Sequence, residues 1–124
     1  VAVFLAVAAL VWLWRRPPAR LRRLDLSALG VREPAIVQFS AGSCSPCRAA
    51  APKLRAAAAE AQVRYMQVDV GDDPEVARTY GIRTVPTIAV TGRGGRVIEV
   101  WTAVPDGDAV TGTARRARGT VVRV

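Results

Sequence analysis

Apolar and polar positions alternate in short blocks along most of this 124-residue chain, and these blocks predict a mixed α/β domain. Residues 35–41 form an apolar run typical of a buried strand, whereas 46–61 is rich in alanine, which favours a helix. Gly30 and Gly81 are placed to end helices, and Asp73 with Pro74 is placed to begin one. The predicted elements are helices over 24–30, 46–61, 74–80 and 106–119, and strands over 35–41, 63–70, 87–91 and 97–102.

The order of these elements, α-β-α-β-α-β-β-α, limits the topology. Early alternation of strand and helix implies parallel strands joined by crossover helices. The turn sequence at 92–95 joins the last two strands as an antiparallel hairpin. We therefore expect a mixed central sheet between helical layers, with Pro52 bending the long helix.

The first 14 residues are apolar apart from the indole nitrogens of Trp12 and Trp14, and they predict a membrane anchor. A helix of this length spans only ~21 Å, short of the ~30 Å hydrocarbon core. Because the chain opens on Val1, we expect an anchor truncated at its N-terminus. A buried globular helix is the alternative, and a cleaved signal peptide is disfavoured because the positive charge follows the apolar run.

Five arginines lie within residues 15–23, around Pro17 and Pro18, and this segment predicts a juxtamembrane linker that contacts lipid. Positive-inside bias would place the following domain, 24–119, on the cytoplasmic side of a single-pass cell-membrane protein, with 120–124 as a tail. An extracytoplasmic domain stays an alternative. The formal charge of +8 is concentrated in that segment, so it does not indicate nucleic-acid binding.

The chain has two cysteines and no histidine, and the cysteines form the motif Cys44-Ser45-Pro46-Cys47 after the first strand. A cysteine at a helix N-terminus meets free backbone N–H groups, which lower the pKa of a thiol and favour the reactive thiolate. A zinc site lacks ligands, and haem attachment lacks the required histidine. We expect no metal. Two inert buried cysteines are the remaining alternative.

These motifs together resemble the thioredoxin family. The resemblance rests on Phe39, Ala41, the cysteine motif with Arg48 and Pro52, and the run Tyr80-Gly81-Ile82-Arg83-Thr84-Val85-Pro86-Thr87, which looks like the family's cis-proline loop. It covers roughly residues 30–118. It implies a thioredoxin-like three-layer sandwich, here with a transmembrane helix in front of it.

The resemblance also implies a role for each site residue. Cys44 would attack a substrate disulfide, and Cys47 would resolve the mixed disulfide, leaving a Cys44–Cys47 disulfide and requiring no other cofactor. Ser45 and Pro46 would shape the turn around both sulfurs. Two further groups are expected to contact an extended substrate segment: Ser43 before the motif, and Val85 with a cis Pro86.

Departures from the family pattern concern the surroundings of the cysteines. Ser43 and Ser45 stand where thioredoxins usually carry Trp and Gly, so the partner set is expected to differ. Gln38 stands where they carry a buried Asp, and Gln67 matches the lysine often paired with it. Since an amide is neither acid nor base near neutral pH, we expect slower turnover and a more oxidising pair.

Three functions compete at this point. The first is a membrane-tethered oxidoreductase, expected to be a monomeric reductase of protein disulfides that receives electrons from an unidentified reductase or membrane thiol carrier. The second is an extracytoplasmic exchange protein, either a reductant for cytochrome c maturation or a disulfide oxidant. The third is a redox-inactive binding module that keeps the fold.

Overall fold

The computed structural model describes residues 1–15 and 21–119. Its helices are α1 (Ala2–Arg15), α2 (Ser45–Ala61), α3 (Pro74–Tyr80) and α4 (Gly107–Gly119). Its strands are β1 (Ala35–Ser40), β2 (Arg64–Asp69), β3 (Thr87–Thr91) and β4 (Val97–Trp101). Short 3₁₀ turns cover Leu21–Arg23, Ser27–Leu29 and Arg93–Gly95.

The four strands form one mixed sheet in the order β2-β1-β3-β4. Strand β1 pairs in parallel with β2 and antiparallel with β3, while β3 and β4 form the predicted antiparallel hairpin. All six residues of β1 are buried because the strand is central and covered on both faces. The predicted α/β fold with a mixed sheet and flanking helices is confirmed.

Side chains of β1 alternate between two separate apolar cores, as strand geometry requires. Ile36 packs with α2 and α4 on one face of the sheet, where buried alanines of both helices meet Leu54 and Val110. Val37 and Phe39 pack on the other face against Tyr80 and the segments before β1. The sheet is therefore a middle layer between two apolar layers.

The predicted α-helix over 24–30 is wrong, because the segment forms only a short 3₁₀ turn. Backbone groups of this segment bond across to the hairpin: Leu26 N donates to Gly95 O at 2.8 Å, and Val97 N donates to Leu24 O at 3.3 Å. A group committed to another segment cannot complete an α-helical ladder, so only a 3₁₀ turn over Ser27–Leu29 forms. Gly30 ends it with φ of 84°, as predicted.

The predicted membrane location is also wrong. Helix α1 has 14 residues, and none of the helices within residues 1–15 and 21–119 is long and apolar enough to cross a membrane. This overturns both the transmembrane helix in front of the domain and the single-pass location with a cytoplasmic redox domain. The lipid contact expected of residues 1–23 rested on the same anchor, and positions 16–20 of it lie outside the described residues.

The predicted domain boundaries stay predictions. Within them, Leu21 of the expected linker is fully buried and packs in the same core as Phe39. The tail at 120–124 lies outside the described residues.

Candidate functional site

Cys44 and Cys47 form a disulfide at the N-terminus of α2, with Cα atoms 5.2 Å apart. Cys44 is the N-cap residue, and its sulfur accepts a hydrogen bond from the Cys47 N–H at 3.1 Å. Pro46 occupies the first turn of the helix, where its missing N–H has no cost. Cys47 is only 3% exposed, whereas Cys44 is partly exposed. A substrate can therefore approach Cys44 more readily than Cys47.

The sheet register brings the other predicted contact residues to the same end of the domain. Phe39 near the end of β1 lies opposite Thr87 at the start of β3. Cys44 follows the end of β1 and Pro86 precedes the start of β3, so both residues lie at the same end of the sheet. The Val85–Pro86 peptide bond is cis. Pro86 is buried, Val85 partly buried, and Ser43 exposed beside the cysteine motif.

Gln38 lies beneath the cysteines, fully buried in β1. Its Nε2 donates to the backbone carbonyl of Cys47 at 2.8 Å, and its Oε1 accepts from the Tyr65 hydroxyl at 2.5 Å. The Tyr65 oxygen in turn accepts from Gln67 Nε2 at 2.8 Å. The two glutamines expected to replace an ion pair are thus joined through Tyr65.

The direction of every hydrogen bond in this chain of groups is determined. The Cys47 carbonyl can only accept, so the amide nitrogen of Gln38 must face it and the amide oxygen must face Tyr65. Tyr65 then has to donate, which leaves its oxygen free to accept from Gln67. We call this array, from Gln67 through Tyr65 and Gln38 to the Cys47 carbonyl, the Gln67–Cys47 chain.

A pocket of about 330 Å³ opens beside the buried side of the disulfide. Cys47 and Gln67 both line it, so it lies next to both ends of the Gln67–Cys47 chain. The remaining lining residues are Ser40, Ala41, Gly42, Arg48, Ala51, Pro52, Arg55 and Asp69.

Two cations of α2 lie at this pocket. Arg48 donates to the Gly42 carbonyl at 2.9 Å, and the Arg55 guanidinium carbon lies 5.4 Å from the centroid of the Tyr65 ring. Burial raises the pKa of Tyr65 above its ordinary value, while the Gln67 hydrogen bond and the charge of Arg55 oppose that shift. Tyr65 is therefore protonated, and able to donate to Gln38, throughout the neutral range.

The described residues contain no group of three or more histidine, cysteine or carboxylate side chains arranged to hold a metal ion. Among the described residues, the site geometry brings together the disulfide, the N-terminus of a helix, a buried polar array and the charged groups at the pocket.

Comparison with known proteins identifies the family. The sequence matches the Thioredoxin family model over residues 26–111. The chain belongs to the thioredoxin family. It is 38% identical over 74 residues to a thioredoxin of Porphyra purpurea, which covers 58% of this chain and 69% of that protein. It is 36% identical over 83 residues to Thioredoxin M5, chloroplastic, of Oryza sativa, covering 65% of this chain and 48% of that relative.

Solved structures agree with the sequence match. Fasciola hepatica thioredoxin superposes with a TM-score of 0.61 at 28% identity, covering 74% of this chain and 88% of that one. This thioredoxin-family chain spans about half the length of the rice relative and just over two thirds of the red-algal one. Family membership and the Cys44–Cys47 pair support a thiol–disulfide oxidoreductase.

The sequence interpretation located most of this site but missed Tyr65. The motif predicted the cysteines and their helix, and the family pattern pointed to Gln38 and Gln67. The signal for Tyr65 was present: it lies two residues before Gln67, so both side chains share one face of β2, and Gln67 is in register with Gln38. The catalytic and substrate-binding roles given to the individual residues stay predictions.

Proposed function

We propose that this protein reduces disulfide bonds in other proteins by thiol–disulfide exchange. The observation that carries the proposal is the Cys44–Cys47 disulfide at a helix N-terminus, with Cys44 accepting a backbone N–H and being the more exposed sulfur. The same N–H and the helix dipole favour a thiolate at Cys44 in the reduced protein.

The reaction has two balanced steps. The Cys44 thiolate attacks one sulfur of the substrate disulfide; a Cys44–substrate bond forms, the substrate S–S bond breaks, and its electron pair leaves with the other substrate sulfur. The Cys47 thiol then loses its proton, and its thiolate attacks Cys44. The Cys44–Cys47 bond forms, and the second substrate sulfur leaves as a thiolate that takes up a proton.

The substrate is proposed to lie as an extended segment across the end of the sheet, beside Ser43 and the backbone of Val85. The supporting observation is the register of β1 with β3, which places Pro86 and the cysteine motif at one end of the domain. The small Ser43 offers little apolar contact, so the substrates are expected to bind mainly through their backbone. An external electron donor must reduce the Cys44–Cys47 disulfide again.

The test is reduction of a disulfide-bonded protein substrate, with dithiothreitol as the donor. The wild-type chain should accelerate it, and Cys44→Ser should abolish the acceleration. Pre-reduced Cys47→Ser, freed of dithiothreitol before the substrate is added, should accumulate a mixed disulfide visible by mass spectrometry. Acceleration that survives Cys44→Ser would refute the proposal in favour of a binding module.

The reduction potential then decides the direction of electron flow. A reduction potential near the ~−270 mV of thioredoxin would support a reductase. A potential near the ~−120 mV of strong oxidants would indicate that the protein oxidises its substrates instead.

A further inference from the structure

The Gln67–Cys47 chain holds a buried glutamine against the backbone of one reactive cysteine, and nothing in the two exchange steps uses it yet. The disulfide keeps Cys47 beside Cys44 in the oxidised protein. In the mixed-disulfide intermediate that bond does not exist, because Cys44 is bonded to the substrate. At that stage no covalent bond to Cys44 holds Cys47 in place.

Besides the helical hydrogen bonds of α2, two contacts hold the backbone of Cys47 at that stage. The Cys47 N–H bonds to the Cys44 sulfur, and the Cys47 carbonyl accepts from Gln38 Nε2 at 2.8 Å. The first contact changes when Cys44 bonds to the substrate. The second joins β1 to α2 and involves neither reacting sulfur.

Gln38 can keep this contact only in one orientation of its amide. A turned amide would place its oxygen against the Cys47 carbonyl oxygen, and two acceptors repel. The Tyr65 hydroxyl stabilises the observed orientation because it donates to Gln38 Oε1 at 2.5 Å, and its own oxygen accepts from Gln67 Nε2. Gln38 is fully buried, so loss of the Tyr65 hydroxyl would leave its Oε1 without this partner inside the core.

We infer that Tyr65 is a positioning residue for the second exchange step, acting through Gln38 to hold Cys47 in place for attack on the mixed disulfide. This inference rests on the proposed function. Tyr65 contacts neither sulfur; it keeps the Gln38 amide in the orientation that the Cys47 carbonyl requires.

The same contacts limit which groups can accept the proton that Cys47 must lose before it attacks. No member of the Gln67–Cys47 chain accepts a proton near neutral pH, since two are amides and Tyr65 is a protonated phenol. The acceptor of this proton therefore lies outside the Gln67–Cys47 chain, and Cys47 lines the 330 Å³ pocket beside it. The charged groups that face this pocket are Arg48 and Arg55 of α2 and Asp69 of β2.

The test follows the two steps separately with the reduced protein and Ellman's reagent. Attack by Cys44 releases one coloured thiolate, and attack by Cys47 releases a second. Tyr65→Phe removes only the hydroxyl. It should leave the first step within twofold of wild type and slow the second by about three- to tenfold, the factor expected for one buried hydrogen bond.

The pH profile separates positioning from proton transfer. Because Tyr65 holds Cys47 without taking its proton, Tyr65→Phe should lower the plateau of the second step without moving its pH midpoint. The matched control is Tyr80→Phe, which removes a tyrosine hydroxyl from the core on the opposite face of the sheet. Both steps should stay within twofold of wild type in that variant.

A double-mutant cycle tests the route through Gln38. In a Gln38→Leu background, Tyr65→Phe should change the second step by less than twofold, because its route to Cys47 is already absent. Gln67→Leu, at an exposed position, should slow the second step by a smaller factor than Tyr65→Phe does.

Three outcomes would overturn the inference: equal slowing of both steps, an unchanged second step, or full additivity of Tyr65→Phe with Gln38→Leu. Failure of the proposed function is distinguishable from these. A chain that does not reduce protein disulfides still reacts with Ellman's reagent, so the role of Tyr65 is measured in either case.

Discussion

Substitution of Gln38 by glutamate should make the stability of this fold depend on pH. Gln38 is fully buried, donates to the Cys47 carbonyl and accepts from the Tyr65 hydroxyl. A protonated carboxyl has the same shape and the same pair of functions, one donor and one acceptor. Gln38→Glu should therefore fold at acid pH with a stability within about 1 kcal/mol of wild type.

Ionisation removes the donor and places a carboxylate against the Cys47 carbonyl oxygen at a fully buried position. Burial and this repulsion raise the pKa of the introduced carboxyl above its value in the unfolded chain. A cost of about 3 kcal/mol is the low end for a buried charge without an ionic partner. Between the unfolded and folded pKa values the folded state binds more protons, so stability falls as pH rises.

The size of the loss sets the pH window. Each pH unit changes the free energy of unfolding by at most ~1.4 kcal/mol, so the loss should begin near the ordinary glutamate pKa of ~4.3 and end roughly two pH units higher. Urea unfolding between about pH 4 and about pH 8 measures it, with the wild-type chain subtracted at each pH.

Gln67→Glu is the matched control, since it makes the same chemical change at the exposed end of the Gln67–Cys47 chain. Its free energy of unfolding should follow wild type within about 0.5 kcal/mol across this range, as surface changes do. If Gln38→Glu lost the same stability at every pH, or none, the buried donor–acceptor pair described here would not exist in solution.

Two further predictions concern the hairpin and the tyrosines. A Cβ at Gly95 would lie 2.0 Å from the Val31 carbonyl oxygen, while one at Gly94 would meet nothing within 4 Å, and both glycines have positive φ. Chemical denaturation should therefore find Gly95→Ala less stable than Gly94→Ala by about 2 kcal/mol or more, and equal losses would contradict the close approach. Burial raises the pKa of Tyr65 and Tyr80 in the folded protein. The free energy of unfolding should therefore stay constant up to about pH 10 and fall at higher pH. Tyr65→Phe should make that fall less steep.

Much of the fold could be predicted from sequence because its signals are local. Strand β1 follows from an apolar run, α2 from alanine content, and the ends of α3 from Asp73 and Gly81, which cap it as expected. The failure at 24–30 has a non-local cause. Leu26 N and Leu24 O bond to residues about seventy positions away, and no local propensity carries that information.

The site was predictable to a similar degree. The cysteine motif is local and specific, so its position and helix followed directly from the sequence. Tyr65 depends on the pairing of β1 with β2, which brings residues 27 positions apart within hydrogen-bond distance. The apolar N-terminal segment gave a wrong prediction because its composition resembles that of a membrane anchor, whereas α1 is too short to span a bilayer.

The two cores on opposite faces of the sheet also affect which substitutions this protein can accept independently of one another. Gln38 points to the face that carries α2, whereas Phe39 and Tyr80 pack on the other face. Substitutions of Tyr80 should add to substitutions of Gln38, because the sheet separates the two side chains. We therefore expect that substitutions around Tyr80 can change thermal stability while Gln38 and Cys47 keep their contacts on the other face.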